Sequence, residues 1–431
     1  MFDLGIKNGS VYLDGELQNM NIYIKNEKIS AVSTEKFDSK NEVDVSGCYV
    51  LPGFIDPHVH FALGVGNNIS KDDFEAGSKE AALGGVTTYI DFLDPVKKAE
   101  QISEEFNKRN KMAERSLVDY SFHTTIANPV DSAKLIIEES KKYGINSIKL
   151  FTTYSNTDRR TYDDYIYELL KESATENAVI VVHAENDDLI SKEKNILVKD
   201  HEKSRPVITE NIEVIKLAQM ARKTGGNLYI VHVSAGSSAK ALDQQFYKEL
   251  KNHQIILESC PHYFLLNSSK LESEDGYKYT MTPPIRSEEE RILLNEEIEV
   301  ISTIGTDHCP YTKEQKKHKY TREIPMGIGG IRYSFLNMYG QNGINIVDKF
   351  TKGPAKAYGL KHKGNLLPGY DADITIFNPK KNTIVNDEMS VYDGKILRGK
   401  IEKVYSRGRL IVTGGKILGK EHLGKYIRRG E

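Results

Sequence analysis

Between residues 54 and 307 the chain repeats one unit eight times: a short apolar run followed, in most cases, by a stretch of helical periodicity. The apolar runs fall near 54–61, 87–93, 118–126, 147–152, 178–184, 228–234, 254–260 and 300–307. Helical patterns cover 72–83, 97–114, 131–143, 162–177, 208–224, 237–252 and 287–298. Strands that alternate with helices pair in parallel, because a parallel connection needs a crossover that a helix supplies. Eight such units predict a closed (β/α)8 TIM barrel, an α/β fold. An open doubly wound sheet would usually have fewer strands and a glycine-rich phosphate turn, and no G-x-G-x-x-G follows an early strand.

The two ends have another rhythm. Asp3 to Gly9 closes on Asn8-Gly9 and a second turn signal stands at Asp14-Gly15, while Asn21 to Lys25 alternates polar and apolar residues. Asp373–Phe377, Lys403–Gly408 and Arg409–Thr413 repeat the pattern near the C-terminus. Both termini are therefore expected to build one small β-sandwich domain. The division is 1–51 and 366–431 for that domain and 52–365 for the barrel, a size that 431 residues accommodate.

The formal net charge is −2, which gives no electrostatic case for nucleic acid or an anionic membrane. The basic run Lys425 to Arg429 is expected to be solvated. Nothing approaches the roughly 18 apolar residues of a membrane span, and Met1 to Gly5 lacks the regions of a signal peptide. Three scattered cysteines (Cys48, Cys260, Cys309) do not make a disulfide framework and favour a reducing cytoplasm.

Barrel chemistry gathers at the C-terminal ends of the strands. The first run carries His58-Val59-His60; on a strand the two imidazoles share a face, about 7 Å apart along the chain. Neutral imidazole suits a divalent metal. The fourth run ends in Ser147-Ile148-Lys149-Leu150-Phe151, the fifth in His183-Ala184-Glu185, the sixth in Val231-His232-Val233 and the eighth in Thr306-Asp307-His308. Each of these residues has an ordinary alternative: a hydrogen-bonded core histidine, a snorkelling lysine, a capping aspartate. Six of them at one end of one barrel, His58, His60, Lys149, His183, His232 and Asp307, is not an ordinary coincidence. A lysine buried among apolar residues is pushed towards the neutral amine, which suits a base, a Schiff-base former or a modified side chain.

In order along the chain, these residues resemble the cyclic amidohydrolases, and within them the dihydropyrimidinase/hydantoinase branch. The resemblance spans nearly the whole chain. It is carried by Gly53-Phe54-Ile55-Asp56-Pro57-His58-Val59-His60, by the run from Asp72 to Thr88, by Ser147 to Tyr154 and by His183-Ala184-Glu185-Asn186. Gly305 to Pro310, His201 to Pro206 and Leu367 to Asp373 add to it.

The resemblance implies that CO2 carboxylates Lys149 and that the carbamate bridges two divalent metals, usually zinc. His58, His60 and Asp307 would complete one metal's shell, and His183 and His232 the other's. A bridging hydroxide would attack a cyclic amide or imide, Asp307 would shuttle its proton to the leaving nitrogen, and Tyr154 would hydrogen-bond the developing oxyanion. The resemblance also implies a homo-oligomer, dimer or tetramer. The Thr282 and Met326 positions, serine and asparagine in much of the family, would hold the ring amide through backbone groups. Arg332 stands near a usual glutamate. Allantoinase or dihydroorotase chemistry is the runner-up; dihydroorotases commonly have an arginine where Ala62 stands, so dihydroorotate is expected to be a poor substrate unless Arg332 replaces it. A non-catalytic scaffold of the dihydropyrimidinase-related kind would be expected to lose metal ligands, and all six are present here.

Overall fold

The computed structural model describes residues 1–419 and 422–430. Eight strands, Phe54–Asp56, Val86–Phe92, Asp119–Thr125, Ser147–Phe151, Val179–His183, Leu228–Ile230, Ile255–Ser259 and Thr303–Ile304, pair in parallel and in sequence order. First meets last where Val59 bridges to His308 and the His60 N–H donates to the His308 carbonyl at 2.9 Å. Helices Phe74–Leu83, Gln101–Ala113, Ala133–Lys142, Asp163–Glu176, Val207–Thr224, Gly236–Lys251 and Glu288–Glu296 fill the predicted connections. Among the described residues, no helix is long and apolar enough to cross a membrane.

The two-residue period of a strand sorts the side chains. Ile148, Leu150, Ile180 and Val182 face the helical layer, while Val179, Val181, Tyr229 and Ile256 join Ile55 and Ile90 in a separate cluster inside the barrel. Tyr358 and Leu360 belong to that inner cluster, and the Tyr358 carbonyl accepts from Asn146, just before the strand Ser147–Phe151 begins. The N-terminal end of the barrel is thus packed shut. Only the opposite end is free to hold a site.

Three strands are shorter than the sequence suggests. The first stops at Asp56 rather than 61, the sixth at Ile230 rather than 234 and the eighth at Ile304 rather than 307. His58 and His60 therefore lie beyond the strand rather than on it. The ladder is broken by side chains that satisfy the freed backbone groups. Asp56 Oδ1 accepts from the His58 and Thr306 N–H groups, and Asp56 Oδ2 from the Thr306 hydroxyl at 2.6 Å.

The termini form one nine-stranded sheet, in which Tyr49–Pro52 pairs antiparallel with Ile374–Phe377 and so ties the two ends of the chain together. Asp14-Gly15 is the hairpin turn that its residues predict, with φ of 48° and 90°. Asn8-Gly9 is not a turn. Phe2–Leu13 is one strand, and the pair marks a bulge at which the register shifts between Ile6 and Gly9. Only Asn8 takes positive φ there, and a Cβ on Gly9 would lie 2.6 Å from Val50 Cγ2.

The basic C-terminal run is not solvated as a whole. Tyr120 donates to the Lys425 carbonyl and Ile427 to the Tyr120 carbonyl, extending the barrel at its N-terminal end. Arg429 is 2% exposed, with Nε on the Ser121 hydroxyl at 2.8 Å and Nη2 on Ser147 at 3.0 Å. Its charge serves as a donor fork inside the fold, which net-charge reasoning does not register.

Candidate active site

At the open end of the barrel, His58, His60, Lys149, Tyr154, His183, His232, Thr282, Asp307 and Met326 all line one cavity of about 1120 Å³. Their positions follow from the strands. Lys149 is inward because Ile148 and Leu150 are outward, and His183 continues the inward series Val179, Val181. His232, Asp307 and Tyr154 lie past strand ends in left-handed backbone, with φ of 39°, 50° and 70°. Non-glycine residues seldom adopt that conformation, and such strain concentrates at functional positions.

His58 Nε2 lies 3.2 Å from His60 Nε2 and 3.3 Å from Asp307 Oδ1, and His60 Nε2 lies 3.0 Å from the same oxygen. His58 Nδ1 is bonded to Glu258 Oε1 at 2.7 Å, so its Nε2 presents a lone pair to this group. A cation among the three donor atoms satisfies them together, which is how the donor set fits a metal. On the other side the His183 and His232 rings meet edge to face with centroids 4.6 Å apart, and His232 lies 5.5 Å from the His58 ring. His183 Nε2 is held by Glu185 at 2.7 Å, leaving Nδ1 as its free donor atom.

Lys149 is 2% exposed. Its Nζ stands 5.4 Å from the Phe92 ring centroid and 5.3 Å from that of Phe151, and no carboxylate lies within ion-pair distance of it among the described residues. Burial pushes its pKa down to about 8, which leaves a usable fraction of neutral amine. Burial alone would raise the Asp307 carboxyl, but His58, His60 and Lys149 beside it hold it well below the usual range. Burial pushes the Tyr154 phenol up to about 12, so it stays protonated as a donor. The Arg205 guanidinium lies 5.5 Å from the Tyr154 ring centroid and is itself clasped by Glu185, Nη2 to Oε2 at 2.7 Å.

Sequence reasoning overlooked the carboxylates behind the histidines. Glu258 accepts from His58, from the Tyr229 hydroxyl at 2.7 Å and from the His232 N–H at 3.2 Å. Its signal was present in Ile255-Ile256-Leu257-Glu258, a charge at an inward position of an apolar strand, as at Lys149. Arg332 does not supply an anion contact in the cavity; it pairs with Glu80 at 3.5 Å and lines a neighbouring hollow. A second acidic group, Asp119, Asp371 and Asp373, is no metal centre either, because Lys363 Nζ bonds all three at 2.6, 2.9 and 2.6 Å.

A barrel with this donor set at its open end is the architecture of a metal-dependent hydrolase, and the chain belongs to the amidohydrolase family, whose model matches residues 49–411. Within the family it is similar to hydantoinases and dihydropyrimidinases. The chain is 30% identical to a D-hydantoinase of Geobacillus stearothermophilus, over 99% of this chain and 96% of the relative. It superposes on a D-hydantoinase from a Bacillus sp. AR9 with a TM-score of 0.93 at 28% identity, covering 99% of each chain. For a dihydropyrimidinase from Brevibacillus agri NCHU1002 the TM-score is 0.91 at 27% identity, covering 100% of this chain and 99% of the other.

Proposed function

We propose that the chain hydrolyses a C–N bond of a cyclic amide or imide, a 5-substituted hydantoin or a dihydropyrimidine, with two divalent cations held by His58, His60, Lys149, His183, His232 and Asp307. Zinc is the metal that this nitrogen-rich donor set suits. Lys149 is the observation that carries the reading. Among the described residues it is buried without a carboxylate partner amid four histidines and Asp307, whereas Lys363 bonds three carboxylates and Lys316, equally buried, bonds three backbone carbonyls. Addition of CO2 to the neutral Lys149 amine forms an N–C bond and releases a proton. The carbamate replaces an uncompensated cation with an anion able to serve both metals.

When bound, the cations supply Lewis-acid activation of a water and of the ring carbonyl. Asp307 takes the proton of the attacking water and delivers it to the ring nitrogen as the C–N bond breaks. The Tyr154 hydroxyl donates to the carbonyl oxygen as charge grows on it. Backbone groups around Thr282 and Met326 hold the ring amide. Glu258 and Glu185 fix the tautomers of His58 and His183, the usual work of carboxylates behind metal-binding imidazoles.

The three unpaired cysteines support a cytoplasmic setting, and a homodimer or homotetramer is the expected assembly. The test is a turnover panel of dihydrouracil, hydantoins, allantoin, dihydroorotate and acyclic amides, run beside elemental analysis of protein purified without chelator. Ring opening of hydantoin or dihydrouracil at two metals per chain is the expected result. Allantoin as the best substrate would move the reading to allantoinase, and no hydrolysis by metal-replete protein would overturn it.

A further inference from the structure

The cavity is larger than a bare ring requires: its volume of about 1120 Å³ compares with roughly 300–1,000 Å³ for ordinary small-molecule sites. Its arginines are not equivalent. Of the four that line it, Arg109 is bonded to Asp91 at 2.7 Å, Arg205 is held by Glu185, and Arg322 is solvent-exposed with its guanidinium 5.9 Å from the Tyr320 ring centroid. Arg159, half-buried on the loop that follows Tyr154, makes no side-chain hydrogen bond, ion pair or ring contact among the described residues.

Asp158, its neighbour in the chain, and Asp187, bonded to the same loop through Ser155, are taken. Asp158 bonds Asn128 at 2.7 Å and pairs with Lys97. Asp187 accepts from Thr153 at 3.1 Å, from Ser155 at 2.5 Å and from Lys192 at 3.0 Å. The loop itself is pinned. The Arg159 N–H donates to the Tyr154 carbonyl at 3.2 Å and the Thr161 N–H to the Phe151 carbonyl at 2.8 Å. A half-buried guanidinium on a fixed loop, lining a substrate cavity and lacking an anion, is incomplete: it has lost part of its hydration and gained no partner.

We infer that Arg159 selects a ring bearing an anionic substituent, such as a carboxylate on a short side chain, which it grips through its planar donor fork. This rests on the proposed ring-opening activity and adds to it the charge of the substrate. The contact stands beside Tyr154, across the strand ends from Ala62, so it addresses a substituent that reaches the Tyr154 loop.

The test compares 5-(2-carboxyethyl)hydantoin with its neutral isostere 5-(2-carbamoylethyl)hydantoin on the metal-loaded enzyme. The expected kcat/KM ratio favours the acid by at least about tenfold, since a hydrogen bond to a charged group is worth roughly 1.5–3 kcal/mol and 1.4 kcal/mol is tenfold. Arg159→Gln brings the ratio to about one, and Arg159→Lys retains part of it. A wild-type ratio of one or less, or a ratio unmoved by Arg159→Gln, overturns the inference. Calorimetric binding of both compounds to the metal-loaded Asp307→Asn variant separates the two readings. Preference for the acid there without ring opening by the wild type sinks the activity and keeps the Arg159 contact; equal binding sinks the contact whatever the turnover.

Discussion

Glu258 and His58, two hundred residues apart in the chain, meet at 2.7 Å, and that one bond sets which nitrogen of His58 faces His60 and Asp307. Glu258→Gln keeps the size of the side chain but lets its amide donate to Nδ1 and favour the wrong tautomer. Metal affinity should fall by about 10–100-fold, the usual cost of losing such a partner. Competition against a chelator of known affinity checks it, and unchanged affinity would remove Glu258 from the support of the centre.

Lys149→Ala should release both metals and abolish turnover, if the lysine carries the bridging carbamate. Short carboxylic acids are expected to restore part of the activity by filling the vacated space. A variant that retains two metals per chain and its rate would disprove the bridge.

Asp307→Asn removes a group whose proton transfers occur mainly in the transition state, so kcat should drop far more than KM rises. The expected loss is about 10²–10⁴-fold. Steady-state kinetics on the best substrate decide it, near-normal kcat being the contrary outcome.

Lys316 Nζ donates to the carbonyls of Thr280 at 2.7 Å, Gly327 at 2.9 Å and Pro325 at 3.3 Å, tying together the segments that carry Thr282 and Met326. Lys316→Met leaves those carbonyls without their donor and should raise KM by about tenfold or more, on the basis of roughly 1–3 kcal/mol per unsatisfied buried group, with a smaller effect on kcat. Equal KM values in the two proteins would show that the segments hold themselves.

Lys363→Met leaves buried Asp119 and Asp373 beside half-buried Asp371, with Arg407 the remaining cation at Asp119 and Lys28 at Asp371. Breaking a buried ion cluster typically costs about 3–5 kcal/mol, so Tm should fall markedly. The pH dependence has a definite sign. Lys363 is raised above its usual value of 10.5 by Asp373 and Asp119 against the cost of burial, so its contribution is complete below about 10.5 and is lost as pH rises through the folded value. Asp119 and Asp371 are lowered from 3.8, chiefly by Lys363 against burial, so theirs is present above about 3.8 and is lost as pH falls through the folded values. Asp373, raised by burial, offsets part of the latter. Tm against pH should therefore be flatter at both extremes in Lys363→Met, and parallel curves would contradict this.

The repeating period of apolar runs and helical stretches already specified the barrel; strand parity turned Lys149 and His183 inward, and the rule of C-terminal ends pointed to His58, His60, His232 and Asp307, which lie just beyond their strands. Those are local properties: which face a side chain takes depends on its neighbours two residues away. The same holds for Asp14-Gly15, whose two residues both accept positive φ. Asn8-Gly9 shows the limit, because the partner strand Glu16–Lys25 and the side chains of Val45 and Val50 made it a bulge instead of a turn. Tertiary structure alone decided that strands stop early where Asp56 takes over their backbone bonds, that Glu258 stands behind His58, that Arg429 is buried at the closed end, and that among the described residues Arg159 has no anion while Arg205 has one. The partners that close these contacts (Thr306 for Asp56, His58 for Glu258, Ser121 for Arg429, Glu185 for Arg205) lie tens to hundreds of residues away. A pattern of residue types records which groups need partners, and only the packed chain determines which of them are met.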